Sequence, residues 1–286
     1  MKLTTDKNIL IIGLGLLGGS YAKALKKQGY RVSAITKEPE SVKFALDNGI
    51  VDYGTTEIDP ELVGSADLVV FALYPHVFIE WIRENGSLLR KGTVVTDVTG
   101  VKGSVVYEVQ SLLPDGVEFI SAHPMAGREV SGVENSDDGI FKNANYIVVP
   151  TDNNTREGIE LCKELGELLG FAKISVLSPE KHDAMIAFLS QLTHCIAVSL
   201  MCANDDPDLV LYTGDSFRDL TRIANINDEM WSELFISNRD PLLKEMDAYR
   251  ETFERLYEFI KNGDRENIRD MMRISTARRR QFDKKI

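Results

Sequence analysis

Cysteine is scarce: three residues in 286 (Cys162, Cys195 and Cys202), widely placed and with no Cys-x-x-Cys pair. That leaves no basis for a disulfide framework or a thiolate metal site, so reduced thiols in the cytoplasm, and no metal, are expected. Long apolar runs are missing too; none approaches the roughly 20 residues that span a bilayer, which argues against a membrane protein. The opening MKLTTDKN is polar and lacks the charged, apolar and small-residue order of a secretory signal. Positive charge is in deficit, 33 Lys and Arg against 44 Asp and Glu, for a net charge of −11. Nucleic acid is therefore a poor partner, while an anionic small ligand stays admissible where arginines gather locally. There is no internal repeat and no low-complexity tract.

What is present is an ordinary globular balance, 43% hydrophobic and 27% charged, enough for two domains with cores of their own. From Asn8 to about Leu177, short apolar runs alternate with helical stretches: NILIIG, YRVSAIT, DLVVFAL, TVVTDV, EFISAH, NYIVVP and AKISVL. Continuous apolar strands joined by helices predict an α/β fold, a mostly parallel, doubly wound sheet covered on both faces. After Ser178-Pro179 the strand signal stops, and apolar residues recur at three and four spacing. The expected division is a dinucleotide-binding domain over 1–177 and an all-helical domain over 178–286. Met185 to Met201 is apolar nearly all round, which suits a helix buried between domains or subunits and predicts a homodimer.

ILIIGLGLLGGS places Gly13, Gly15 and Gly18 as G-x-G-x-x-G after a strand and at the start of a helical pattern opened by Leu16 and Leu17. Gly13 permits the tight turn, Gly15 lets the backbone approach a pyrophosphate, and Gly18 lets helix pack on strand, with phosphates at the helix N-terminus. The following strand ends at SAITKEPE, where an NAD site ordinarily carries an acid for the ribose hydroxyls. Thr36 and Lys37 stand there instead and suit a ribose 2′-phosphate, so NADP is favoured over NAD, with Glu38 speaking for NAD.

FISAHPMAGRE ends a strand on His123-Pro124 and continues through two small residues. An imidazole at a strand's carboxyl end faces the crevice where such sheets bind ligands, and it can take a proton from an alcohol whose carbon loses hydride. In GDSFRDLTRIA, Asp215 or Ser216 can cap a short helix that carries Arg218 and Arg222 four apart. One of the pair is a candidate carboxylate clamp; the other reading is a surface helix salt-bridged through Asp219. His194 sits within the apolar helix, as a neutral core residue or as a polar group facing the interdomain crevice.

These blocks, in the order GLGLLGGS, DVTGVKG, HPMAGREVSGVE, SPEKHD, LSQLTH and FRDLTRIANINDEMW, resemble the prephenate and arogenate dehydrogenases of tyrosine biosynthesis over nearly the whole chain. The resemblance implies an NAD(P)-dependent oxidative decarboxylation: the ring carbon bearing the hydroxyl gives up hydride, carbon dioxide leaves and the ring becomes aromatic. By the same matching His123 polarises or deprotonates the ring hydroxyl, Arg222 binds a substrate carboxylate, His194 helps to hold substrate, and Glu129 is an acidic gate. Two departures stand out. Gly100 replaces a serine that in many members contacts both histidine and substrate, leaving Thr99 or a water as substitute. Gln191 replaces a histidine and can still hydrogen-bond, but cannot change charge.

Two other readings compete. A β-hydroxyacid dehydrogenase has a similar two-part layout but needs a lysine on the interdomain helix, and Met185 to Met201 contains none. A nucleotide-binding sensor without turnover is suggested by Gly100 and opposed by the presence of His123, Glu129 and Arg222.

Overall fold

The computed structural model describes residues 3–128 and 130–282. Six short strands form a wholly parallel sheet: β1 (Asn8–Ile12), β2 (Arg31–Ile35), β3 (Tyr53–Thr55), β4 (Leu68–Phe71), β5 (Val94–Asp97) and β6 (Glu118–Phe119). They are ordered β3-β2-β1-β4-β5-β6, so the direction of winding reverses between β1 and β4. This is the Rossmann-type doubly wound order, with its ligand crevice at that reversal, outside the carboxyl ends of the strands. Helices α1 (Leu16–Lys27), α2 (Pro39–Asp47), α3 (Pro60–Ser65), α4 (Pro75–Asn85) and α5 (Val106–Leu112) make the connections. Proline at the first helical positions of α2, α3 and α4 pre-sets their backbone, and Asp59 caps α3 by accepting from the amides of Glu61 and Leu62. Alternate strand residues feed two cores: Ile9, Ile11, Val32 and Val70 on one face, Leu10, Ile12, Val69 and Val95 on the other.

The run EFISAH, expected as one strand, is two strands in different sheets. β7 (Ser121–Pro124) pairs antiparallel with β8 (Asn145–Val149), which pairs parallel with β9 (Lys173–Val176); α6 (Arg156–Leu168) links the last two. The crossing point is Ile120, whose amide still bonds Val95 O at 2.9 Å. One residue later the side chain of Asp97 takes over the pairing, accepting from Ser121 Oγ (2.6 Å) and Ala122 N (3.0 Å). A carboxylate in place of a strand backbone frees the chain to turn towards β8.

α7 (Pro179–Ile186), a π-helical turn over Ala187–Gln191 and α8 (Leu192–Cys202) run on as one helix. Over 24 residues it is long and apolar enough, by length and composition alone, to cross a bilayer. His182, Asp183, Gln191 and His194 interrupt its apolar pattern, so it forms no uninterrupted apolar run in the sequence. α9 (Asp215–Thr221) and α10 (Asp228–Ser237) follow. The cap of α9 is Gly214, with no side-chain bond, so neither Asp215 nor Ser216 caps it; Asp215 instead pairs with Arg218.

The chain forms two compact units, Met1–Asn238 and Arg239–Ile286. The second consists of α11 (Arg239–Lys261) and α12 (Arg265–Arg279), joined through Gly263 in the left-handed region at φ 65°. Met246, Tyr249, Phe253, Tyr257 and Ile260 recur at three and four spacing along α11, each more than a third exposed.

Candidate active site

The turn after β1 has the geometry that a phosphate requires. Gly13 has φ 97°, and a Cβ there would lie 2.5 Å from Ala72 O on the loop after β4. A Cβ on Gly18 would lie 2.0 Å from Gly13 O, so this glycine is required for α1 to pack against its own turn. At Gly15 a Cβ would meet nothing within 4 Å: the backbone there faces open space. Gly15 is also the N-cap of α1 and offers no side-chain acceptor, so the first-turn amides, Leu16 and Leu17 among them, keep their pull on an anion. These features fit a dinucleotide pyrophosphate. At the end of β2 Thr36 is buried, Lys37 is exposed, and Thr36 Oγ1 donates to Glu38 Oε2 at 2.8 Å.

His123 lies on β7, opposite Ile147 of β8. Its Nδ1 is 2.8 Å from His182 Nε2, and His182 Nδ1 is 2.7 Å from Asp183 Oδ1. His182 is fully buried on α7. Asp183 also accepts from the amides of Lys102 (2.9 Å) and Gly103 (2.7 Å), tying α7 to the loop after β5. Lys102 is itself fully buried, and its ammonium donates to Asp97 Oδ2 (2.9 Å), Thr99 Oγ1 (3.1 Å) and Ala122 O (2.7 Å). Burial, the neighbouring His182 and the Lys102 charge, in that order, hold the His123 imidazole well below its ordinary value, so it is neutral and able to accept a proton. Burial likewise lowers His182, against the opposing pull of Asp183. It lowers Lys102 too, against Asp97.

On the other side of the π-helical turn, His194 Nδ1 bonds Ser190 O at 2.9 Å, and its ring stacks on Trp231 of α10 with centroids 3.7 Å apart. Arg222 opens a single 3-10 turn, Arg222–Ala224, that packs on α8. Arg218, on α9, donates to Thr213 O, Thr213 Oγ1 and Asp215. The salt bridge drawn through Asp219 is thus replaced by one through Asp215.

Two residues read as substrate contacts have other engagements. Thr99 is buried, with its hydroxyl bonded to Asp97 and Val101 O and receiving Lys102. Gln191 is buried at the end of the π turn: its amide donates to Leu234 O (2.8 Å) and accepts from Asn238 (2.7 Å). In this geometry the polar atoms of both are bonded within the protein. Glu129 lies outside the described residues. Gly100 sits opposite Leu234, and a Cβ would meet that side chain at an ordinary 3.5 Å. Sequence reasoning did not assign roles to His182, Asp183, Lys102 or the clasp in which Glu233 accepts from His76 N (2.7 Å) and meets its Nδ1 (2.8 Å). The signal was the rarity of histidine, four in the chain, with one followed directly by an acid.

A model of the prephenate dehydrogenase nucleotide-binding domain matches residues 21–175, and a model of the prephenate dehydrogenase dimerization domain matches residues 178–274. The chain belongs to the prephenate dehydrogenase family. The prephenate dehydrogenase of Bacillus subtilis is 30% identical over 270 residues, 91% of this chain and 72% of that protein. The prephenate dehydrogenase of Lactococcus lactis is 31% identical over 274 residues, 92% and 73% respectively. A crystal structure of prephenate dehydrogenase from A. aeolicus, in complex with hydroxyphenyl propionate and NAD+, matches with a TM-score of 0.90 at 30% identity, covering 99% of this chain and 100% of that one. A Mycobacterium tuberculosis 3-hydroxyisobutyrate dehydrogenase shares the fold alone, at 15% identity and TM-score 0.54 over 78% of this chain and 72% of that one. The prephenate dehydrogenase family is one of NAD-dependent oxidoreductases, and membership sets aside the β-hydroxyacid reading.

Proposed function

We propose that this chain catalyses the NAD(P)-dependent oxidative decarboxylation of prephenate or arogenate in tyrosine biosynthesis, as a cytoplasmic homodimer. One observation carries the reading: His123 stands near the carboxyl end of β7, whose Ala122 amide is held by Asp97 at the carboxyl end of β5, and β1 of that parallel sheet carries the Gly13–Gly18 turn at its own carboxyl end. The bound nicotinamide would supply the hydride acceptor. His123 takes the proton of the ring hydroxyl through Nε2, since Nδ1 already faces His182. Loss of hydride from the carbon and of that proton from its oxygen leaves a ring ketone. Carbon dioxide then departs, its electron pair enters the ring, and the resulting phenolate recovers its proton from His123. No proton need leave for solvent over the cycle.

Arg222, carried against α8, would pair with a substrate carboxylate, and His194 on its Trp231 stack would border the same substrate. Aromatisation supplies driving force, so the protein's work is to orient the ring and stabilise charge at one oxygen. The functional division falls at 177/178, between nucleotide binding and the helical part.

For the cofactor, NAD is the better fit, where Thr36 and Lys37 had favoured NADP. The Thr36 hydroxyl fixes the Glu38 carboxylate at the strand end where ribose hydroxyls are held, and a carboxylate there repels a 2′-phosphate. Glu38→Gln should lower the preference for NAD over NADP in kcat/KM by about tenfold or more, the cost of one charge contact near 1.4 kcal/mol; an unchanged ratio would place the discriminating group elsewhere.

The reading is tested by following reduced cofactor at 340 nm with prephenate or arogenate against NAD or NADP. Turnover in any combination establishes the activity, and the best one names substrate and cofactor. Silence in all four with cofactor still bound would favour the sensor.

A further inference from the structure

Asp183, as a carboxylate, can only accept hydrogen bonds, and it already receives two backbone amides, from Lys102 and Gly103. Its Oδ1, 2.7 Å from His182 Nδ1, therefore requires the hydrogen to sit on that nitrogen. A neutral His182 then has only a lone pair on Nε2. The atom facing that lone pair, at 2.8 Å, is His123 Nδ1, so the hydrogen between the rings belongs to His123. The reverse arrangement would point a lone pair of His182 at the carboxylate.

We propose that His182 and Asp183 are positioning residues that lock His123 as its Nδ1–H tautomer, leaving the Nε2 lone pair as the proton acceptor in the proposed reaction. The inference rests on the proposed function only for what His123 does with that lone pair. The geometry of the surroundings isolates this line. Among the described residues His182 is the side chain that hydrogen-bonds His123, and Gly100 offers no side chain. Lys102, whose charge acts on His123, has all three hydrogens directed at Asp97, Thr99 and Ala122 O, so it cannot donate to the imidazole. Its charge, with burial, opposes a second proton on either ring. His182 reaches the site from α7, 59 residues away in sequence, and the Ser178 cap together with the bonds from Asp183 to the Lys102 loop fixes the ring in place. The rings meet edge to face at 5.0 Å between centroids, so the contact is a directed hydrogen bond and not a stack. When the reaction charges His123, the same line holds it, because the Nδ1–H still points at an acceptor whose own partner is an anion.

The test uses the cofactor-bound protein, with His182→Leu, His182→Gln and Asp183→Asn. Glutamine can accept from His123 Nδ1–H through its carbonyl and donate to Asp183 through its amide; leucine can do neither. The ring nitrogens of His123 are read by 15N NMR without substrate, and kcat, KM and cofactor Kd are measured separately. The expected results are an Nδ1–H tautomer in the parent protein, a kcat about 100-fold lower in His182→Leu with KM and cofactor Kd within about twofold, and recovery of about tenfold or more in His182→Gln. Asp183→Asn should lower kcat and mix the tautomers. A parent spectrum showing Nε2–H, equal losses in the Leu and Gln variants, or a Leu variant within about threefold of the parent would each overturn the inference. Should His182→Leu fail to fold, the parent spectrum and the Gln variant decide it. Absence of turnover in the parent would overturn the proposed activity while the spectrum still decides the tautomer.

Discussion

At the scale of single residues, the site depends on which proton states burial allows. His123 is held below its ordinary value near ~6.5, so it stays neutral through the physiological range. The sign for stability follows: the unfolded chain binds a proton here more readily than the folded one. The contribution is fully present above about pH 6.5 and is lost as pH falls towards the lower folded value. Denaturation midpoints should therefore decline on acidification below about pH 6.5, and His123→Asn should flatten that slope. In the same variant kcat should fall about 100-fold or more while the cofactor Kd stays within about twofold. Near-normal turnover would remove His123 from its role as base. The acid limb of kcat/KM for the parent protein should likewise lie below the ordinary imidazole range; a limb above 7 would contradict a neutral, enclosed ring.

At the scale of elements, the decisive arrangement is the departure of β7 from the first sheet. Asp97 at the end of β5 holds Ser121 and Ala122, and the buried Lys102 closes the set by bonding Asp97 and Ala122 O together. A buried ion pair contributes little net stability, but removal of one partner leaves an uncompensated charge. Lys102→Met should thus destabilise the fold by about 3 to 5 kcal/mol in urea unfolding, with the loss of His123 function following from β7 moving. A cost below about 1 kcal/mol would show that Asp97 is satisfied without the lysine. The π-helical turn over Ala187–Gln191 acts similarly within its helix. It separates Asp183, which faces the loop after β5, from Gln191 and His194, which meet α10 through Leu234 O and Trp231. Such turns add a residue to the helix and change which side chains share a face.

At the scale of the whole molecule, α11 presents Met246, Tyr249, Phe253, Tyr257 and Ile260 along one exposed face. The Pro179–Cys202 helix also leaves Phe188 and Leu189 more than two fifths exposed. An apolar stripe of that length on an isolated chain needs a covering surface, and the match of residues 178–274 to a dimerization domain supports a second copy of this chain as that surface. Phe253→Glu should convert a dimer into a monomer in light scattering behind size exclusion, with the far-UV helical signal retained. A mass unchanged by the substitution would place the interface elsewhere.

The sequence by itself determined what depends on local pattern: parallel strands from continuous apolar runs, the nucleotide turn from three glycines before a helix, and the prominence of His123 from its place after a strand. These are legible because backbone geometry and facing are set by neighbours within a few residues. Tertiary structure alone decided partners. That EFISAH divides between two sheets, that His182 and Asp183 stand behind His123, that Thr99 and Gln191 are engaged inside the protein, and that Arg218 is tied to Asp215 all depend on which group packing brings within about 3 Å. For His123 and His182 that choice spans 59 residues of chain. A hydrogen bond of that range leaves no periodicity in the sequence, because it is fixed by the burial of two cores and by the rule that polar atoms taken out of water must find a partner.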